Sequence, residues 1–132
     1  MYEYRCKLKK VVDGDTVDID IDLGFGVWLH GERIRLYGID TPESRTSDKE
    51  EKKYGIAAKD FLIKWLEAGD IILKTHKDAT GKFGRILGEL WYNDTNINLK
   101  LVEEHHAVEY HGQSKEEIKE QHLQNRSKLN LY

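Results

Sequence analysis

Hydrophobic and acidic residues alternate in the stretch that runs from residue 17 to residue 22. The hydrophobic positions are Val17, Ile19 and Ile21, and the acidic positions are Asp18, Asp20 and Asp22. Because successive side chains of a β-strand point to opposite faces, this period of two predicts a strand with one buried and one solvated face. A glycine-rich segment follows, and the next run, RIRLYGI, places Ile34 and Leu36 on one face and predicts a second strand.

The apolar spacing becomes helical in the middle of the chain. Residues 44–53 are polar and predict a loop. The apolar positions that follow are Tyr54, Ala58, Phe61, Leu62, Trp65 and Leu66. Their recurrence at every third or fourth residue predicts a helix that stops before Gly69. Two more strands are expected in IILKT and GRILGELWY, and a short helix over residues 97–104. Ser114 and Glu117 have the spacing of a capping box ahead of a C-terminal helix.

The order of these elements indicates the class of fold. Strands come first, a helix interrupts them and helices finish the chain, which favours an α+β fold with a small antiparallel barrel. Five short strands with a helix after the third suit an OB-type β-barrel, here with three α-helices. A chain of 132 residues suits one core, so we expect residues 1–132 to form a single domain.

Composition excludes several classes of protein. Hydrophobic residues make up 39% of the chain, too many for a disordered protein, and no apolar run is long enough to span a bilayer. The lone cysteine, Cys6, rules out an internal disulfide framework. The N-terminus has no apolar signal-peptide core, so we expect a cytoplasmic protein, with a secreted mature form as the alternative. The net charge of −3 means that a polyanionic partner would need a local positive site or a metal cation.

The parity of the aspartates singles out one carboxylate. Asp15 shares its parity with the buried positions of the first predicted strand, whereas Asp18 and its alternating neighbours share the solvated face. A carboxylate at the rim of an apolar face is costly unless a cation or hydrogen-bond donors accompany it. The alternative is that Asp13 and Asp15 simply form the turn DGDT, in which aspartate and glycine are favoured.

A second polar cluster follows the second predicted strand, in the motif RLYGIDTPE over residues 35–43. It offers the carboxylates of Asp40 and Glu43 and the backbone carbonyl of Thr41, and oxygen ligands of this kind suit a hard cation. A hairpin that turned in the glycine-rich segment would bring Asp15 opposite Asp40. The alternative is a capped turn that carries solvated acids.

The motif GKFGR supplies a cation and an aromatic ring in one tight turn. Lys82 and Phe83 lie between its glycines, and Arg85 ends it. Together with Arg35, Arg85 offers a second planar guanidinium of the kind that suits phosphate oxygens.

Several motifs together resemble one known family. They are VVDGDTV, RLYGIDTPE, KYG, GKFGR and KLNLY, and they occur in the order and nearly the spacing of the staphylococcal nuclease, or thermonuclease, family. The resemblance implies an OB-type barrel with three helices that binds Ca²⁺ and hydrolyses phosphodiester bonds in DNA and RNA.

The resemblance also implies a role for particular residues. Asp15 and Asp40 match the family's calcium carboxylates, Thr41 the residue that lends a backbone carbonyl, Glu43 the proposed general base or water-orienting group, and Arg35 and Arg85 the phosphate-binding arginines. Asp13 matches an acid near the metal. Lys82, Phe83 and Tyr110 are expected to bind substrate, although Phe83 stands where tyrosine is usual and Tyr110 lies about one residue out of register with the family's stacking tyrosine.

Two classes of function follow from these residues. The first is a calcium-dependent nuclease acting on DNA and/or RNA as a monomer, with no membrane partner. The alternative is a catalytically weak, nuclease-like OB domain that binds nucleic acid or a protein partner. A decayed site would have lost at least one acid or arginine of the motif set, and this chain has kept them all, which favours the enzyme.

Overall fold

A computed structural model describes residues 2–80 and 86–129 of the protein, with only the backbone considered for residues 77–80. In chain order the described elements are β1 (Glu3–Asp13), β2 (Thr16–Gly24), β3 (Val27–Leu36), β4 (Ile39–Asp40), α1 (Lys49–Leu66), β5 (Ile71–Thr80), β6 (Ile86–Tyr92), β7 (Thr95–Asn96), α2 (Ile97–Glu103), β8 (Val108–Glu109) and α3 (Lys115–Leu129).

Five of the described strands close into a barrel. Their order is β3-β2-β1-β5-β6, and a further pairing between β3 and β6 completes the ring. The α+β class and the OB-type barrel with three helices are therefore confirmed for the described residues. The prediction of antiparallel pairing holds for four neighbouring pairs, but β3 and β6 are parallel. Strands that alternate in direction around a ring of five must leave one neighbouring pair pointing the same way, so the odd strand number requires this exception.

The alternation in β2 gives the burial that its period predicted. Val17, Ile19 and Ile21 are buried in the core, which also takes in Ile34 and Leu36 of β3. Asp18 and Asp20 face outward and bind β3: Asp18 Oδ1 accepts from Arg33 Nε at 2.8 Å, and Asp20 Oδ1 accepts from Gly31 N at 2.8 Å. The two strands therefore supply one wall of the barrel, with charged pairs on its outer surface.

Helix α1 begins earlier than the sequence suggested. The polar segment predicted as a loop ends at Asp48, whose Oδ1 accepts from the backbone N–H groups of Glu50 and Glu51 at 3.0 and 3.2 Å. Because an aspartate cap satisfies the first free N–H groups of a helix, the charged run after it is helical from Lys49 onward. The prediction of a loop was wrong for this run.

Helix α3 buries less apolar surface against the rest of the protein than α1 does. Its predicted N-terminal cap is present, since Ser114 Oγ accepts from Glu117 N at 3.2 Å. None of the α3 residues that the structure describes is buried. Nor does any described helix combine the length and the apolar character that crossing a bilayer requires.

Gly55 of α1 provides a test of how tightly this helix is packed. A Cβ at this position would lie 2.2 Å from the carbonyl oxygen of Glu43, a backbone atom that cannot swing away. Helix propensity alone predicts that Gly55→Ala would gain about 1 kcal/mol. We expect instead a loss of about 1–3 kcal/mol from overpacking, measured by denaturant unfolding. Ala57→Gly in the same helix is the control and should lose about 1 kcal/mol. A stabilised Gly55→Ala protein would contradict the close approach.

Candidate active site

Asp15 is a buried carboxylate at the start of β2. It lies in the turn between β1 and β2, immediately before Thr16, and only 9% of the residue is exposed. Its Oδ2 accepts from Thr41 N at 3.0 Å and its Oδ1 accepts from Thr16 Oγ1 at 3.0 Å. The carboxylate therefore joins the β1–β2 turn to the segment that follows β4.

The guanidinium of Arg35 lies between two carboxylates. Its Nη1 is 3.4 Å from Asp15 Oδ2, and its Nη2 is 3.3 Å from Asp40 Oδ1. Nη1 also donates to the carbonyl oxygen of Leu36 at 3.2 Å. The arginine side chain is 16% exposed, so this ion triad is shielded from water on most sides. Low exposure strengthens the attraction, but it also makes each unpaired charge more costly.

Burial raises the pKa of Asp15 above its ordinary value. The neighbouring negative charge of Asp40 acts in the same direction, while Arg35 and the Thr41 N–H group oppose it. Because burial is the largest of these effects, the described partners of Asp15 do not fully offset the loss of water around its charge. A further cation is the group that would complete the compensation.

The sequence suggested that Asp15 lies opposite Asp40 in a hairpin, and the structure has a different register. The backbone N–H of Leu36 donates to the carbonyl oxygen of Asp15 at 2.8 Å, so Asp15 lies opposite Leu36 in the hairpin, not opposite Asp40. The prediction of direct pairing was wrong by four residues. Asp40 reaches the site because the chain turns back at Gly38, whose φ of 80° lies in the left-handed region that favours glycine.

The segment after Asp40 is fixed by acids on either side of it. Asp13 Oδ1 accepts from the Ser44 backbone N–H at 3.1 Å and from the Ser44 hydroxyl. Glu51 Oε2 accepts from Glu43 N at 3.2 Å. Asp13 thus positions the loop, and the backbone of Glu43 is held while its side chain stays exposed.

A cavity of about 1170 Å³ lies beside these residues. Its lining includes Arg35, Asp40, Glu43, Tyr110, Lys119 and His122. Tyr110 is 43% exposed, and its backbone N–H donates to the carbonyl oxygen of Gly38 at 2.8 Å. The structure therefore brings the predicted residue Tyr110 to the same cavity as the acids and Arg35.

Two residues of this cavity were missed by the sequence reasoning. His122 of α3 has its Nε2 2.8 Å from Asp40 Oδ2, and no local motif marks a contact between residues 82 positions apart. Tyr37 belongs to the quoted motif but was treated as a strand residue. Its ring is 46% exposed and stacks on His76, with ring centroids 3.6 Å apart. The His76 Nε2 is in turn 2.7 Å from Glu89 Oε2.

Three predicted site residues lie outside the described part of the chain. They are Lys82, Phe83 and Arg85. The described strand β6 begins at the next residue, Ile86, which pairs with Ile34 immediately before Arg35.

The donors at the site fit a hard cation. Carboxylate oxygens of Asp15 and Asp40 converge on one guanidinium, and the backbone N–H of Thr41 donates to Asp15 beside them. Within the described ranges no group of three or more histidine, cysteine, aspartate or glutamate side chains is arranged to hold a metal. Two carboxylates and a backbone carbonyl form a set that suits calcium, which accepts such oxygens and completes its shell with water.

Comparisons with known proteins agree with this fold. The family model of staphylococcal nuclease homologues matches residues 33–129. The thermonuclease of Staphylococcus intermedius is 37% identical over 97 residues, which cover 74% of this chain and 54% of that protein. The thermonuclease of Staphylococcus hyicus is 30% identical over 102 residues, covering 77% and 57%. Endonuclease YhcR of Bacillus subtilis (strain 168) is 31% identical over 115 residues, covering 82% of this chain but 9% of that protein.

The barrel and the arginine-bridged carboxylates define an OB-type α+β protein with a charged, partly buried site beside a cavity. The chain belongs to the staphylococcal nuclease family. It spans a little over half the length of the two thermonucleases that it matches.

The variant Asp15→Asn should show how much the buried charge of Asp15 lowers the free energy of unfolding. A raised folded-state pKa means that stability is lost as the pH rises from about 4 through that pKa. In calcium-free buffer at pH 7 we expect Asp15→Asn to be more stable than the wild type by on the order of 1 kcal/mol, with the difference shrinking towards pH 4. Denaturant unfolding across this pH range measures it.

Asp18→Asn is the matched control for this prediction. The hydrogen bond from Arg33 lowers the pKa of Asp18, so its stabilising contribution is present above about pH 4 and lost on acidification. Asp18→Asn should therefore be neutral or less stable at pH 7, the opposite sign to Asp15→Asn. If both variants lost stability equally at every pH, burial of the Asp15 charge would not be a cost.

Proposed function

We propose that the protein is a calcium-dependent nuclease that hydrolyses phosphodiester bonds in DNA and/or RNA. The observation that supports this most directly is the pair of carboxylates, Asp15 and Asp40, bridged by Arg35, with Arg35 and Asp40 lining a large cavity. Such a site offers oxygen ligands for a cation and a guanidinium for phosphate within a few ångströms of each other. The names of the thermonuclease and endonuclease relatives support the same reaction.

Asp15, Asp40 and the carbonyl of Thr41 are the proposed calcium ligands. Bound calcium would supply a Lewis acid that polarises a phosphate oxygen. Asp15 is suited to this task because its carboxylate is buried, so water would compete little with a cation bound there. Thr41 N holds Asp15 Oδ2 in place and thereby ties two of the ligand residues together.

Arg35 is the proposed phosphate-binding group. In the structure two of its nitrogens face carboxylates, and calcium at those carboxylates would relieve Arg35 of neutralising them. Its planar donors can then bind the phosphate oxygens that gain charge during attack. Arg85 is proposed for the same task. It precedes Ile86, whose partner in β3 is adjacent to Arg35.

Glu43 is the proposed acceptor or orienting group for the attacking water. Its backbone is held by Glu51 and by the close approach of α1, while its side chain is exposed and lines the cavity. A carboxylate whose backbone is fixed can bring an oxygen within hydrogen-bond distance of the attacking water and accept its proton. Tyr110 at the same cavity, with Lys82 and Phe83, is proposed to contact the remainder of the substrate.

Calcium and a chelator provide the direct test of this function. We expect the wild type to cut labelled single- and double-stranded DNA and RNA oligonucleotides in calcium, and to lose activity when the metal is chelated. Asp15→Asn should weaken calcium binding by at least about tenfold in calorimetry, because it removes a charged ligand. Asp18→Asn should bind calcium like the wild type, because its carboxylate faces Arg33 on the outside of the barrel. Equal cutting with and without chelator would contradict the metal assignment, and binding of nucleic acid without cutting would favour the weak OB domain.

Arg35→Lys tests whether the fork of the guanidinium is needed. Lysine keeps the charge but loses the paired planar donors, so it should stabilise the transition state poorly. We expect kcat to fall on the order of 100-fold with a smaller change in KM, measured with a short oligonucleotide at saturating calcium.

Arg33→Lys is the matched control for the arginine prediction. Arg33 lies two residues earlier in β3 and pairs with Asp18 on the outer surface. Its replacement should leave kcat unchanged. If Arg35→Lys raised KM and left kcat intact, Arg35 would bind the ground state and would not act in the transition state.

A further inference from the structure

Each oxygen of the Asp40 carboxylate has its own partner, and the two partners come from distant parts of the fold. Oδ1 is 3.3 Å from Arg35 Nη2 in β3, and Oδ2 is 2.8 Å from His122 Nε2 in α3. A carboxylate held at both oxygens cannot rotate freely about its side-chain bonds. Its orientation is therefore set jointly by the barrel and by α3.

The imidazole of His122 makes its hydrogen bond to Asp40 through Nε2. An ionised carboxylate can only accept hydrogen bonds, so Nε2 is the nitrogen that carries the proton. The side chain is 12% exposed, and its other nitrogen, Nδ1, is buried without a hydrogen-bond partner among the described residues. Burying a ring nitrogen without a hydrogen-bond partner costs free energy of folding. The hydrogen bond to Asp40 is the contact of this ring that can offset the cost.

The other contacts of α3 lie away from Asp40. Asn125 Nδ2 donates to the carbonyl oxygen of Ala107 at 3.1 Å, and Gln113 Nε2 donates to Gln121 Oε1 at 3.1 Å. The Arg126 guanidinium lies 5.3 Å from the centre of the Tyr54 ring. These contacts dock the helix, and they would do so without His122. The role of His122 is therefore separable from docking.

We propose that His122 is a positioning residue for the calcium site. By donating to Asp40 Oδ2 it orients the carboxylate for the metal, and it makes α3 a wall of the site. This inference rests on the proposed function. Groups that hold a metal ligand in place commonly change metal affinity by about 10–100-fold when they are removed.

The proposal has a thermodynamic consequence for α3. If the docked helix improves calcium binding through His122, calcium must stabilise the docked helix by the same free energy. Because none of its described residues is buried, α3 should be among the less protected parts of the fold before calcium is added. Its amide hydrogen exchange is therefore a second readout that does not involve cutting of nucleic acid.

Calcium affinity measured by calorimetry on four proteins tests the proposal. We expect His122→Ala to bind calcium about 10–100-fold more weakly than the wild type. His122→Gln should recover affinity to within about threefold, because its amide nitrogen can donate from nearly the position of Nε2. Asn125→Ala loosens α3 without touching Asp40, so it should stay within about threefold of the wild type. Amide exchange in α3 should slow on adding calcium to the wild type, and much less in His122→Ala.

The possible results separate this inference from the proposed function. A wild type that binds no calcium would overturn both. A wild type that binds calcium, with His122→Ala binding equally well or more tightly, would overturn the positioning role alone. Equal losses in His122→Ala and Asn125→Ala would also overturn it, because they would show that only the docking of α3 matters. Thermal unfolding of each variant establishes that the barrel is intact in all four.

Discussion

The guanidinium of Arg35 compensates two carboxylates that would otherwise repel each other at the edge of the barrel. It lies 3.4 Å from Asp15 and 3.3 Å from Asp40, and burial still leaves Asp15 with a raised pKa. The position of this guanidinium depends on β3, which is paired on one side with β2 and on the other with β6. Because a strand with two neighbours has little freedom, the barrel's closure fixes the arginine, and the arginine in turn fixes the separation of the acids. A loosened β3–β6 pair would therefore disturb the site before it unfolded the core.

Local patterns in the sequence predicted most of the scaffold. The period of two in β2 indicated which aspartates face water, and the Ser114–Glu117 spacing indicated the start of α3, because both features depend on neighbours within a few residues. The site was less predictable because its geometry depends on register and on distant contacts. A hairpin register cannot be read from an apolar pattern alone, so Asp15 was placed opposite Asp40 when it lies opposite Leu36. The contact between His122 and Asp40 spans 82 residues and has no local signature. The family resemblance supplied the roles of the acids and arginines, which spacing could not.

The site residues belong to elements of different rigidity. Arg35 comes from the paired strand β3, Asp15 comes from the turn before β2 and accepts a backbone hydrogen bond from Leu36, and the backbone of Glu43 is held against α1. The outer wall comes from α3, whose described residues remain at least partly exposed and which is held mainly by polar contacts. Under the proposed function a substrate would enter and leave the cavity of about 1170 Å³, and a wall attached by a few hydrogen bonds can move without disturbing the barrel. Rigidly held site residues and a more loosely attached wall are compatible in one small fold because the two depend on different contacts.

The parallel pairing of β3 with β6 also governs when the site can exist during protein synthesis. Arg35 pairs with Leu87, and Asp40 contacts His122, so the ribosome must add dozens of residues after the first half of the site has emerged. At about 5–20 residues per second, the 82 residues between Asp40 and His122 take roughly 4–16 s to translate. Until Tyr92 has been added, the nascent chain has its acids and Arg35 but lacks the strand that closes the barrel, and for the rest of that interval it still lacks most of the helix that walls the cavity. A member of a nuclease family thus spends its time beside messenger and ribosomal RNA with its candidate site unassembled.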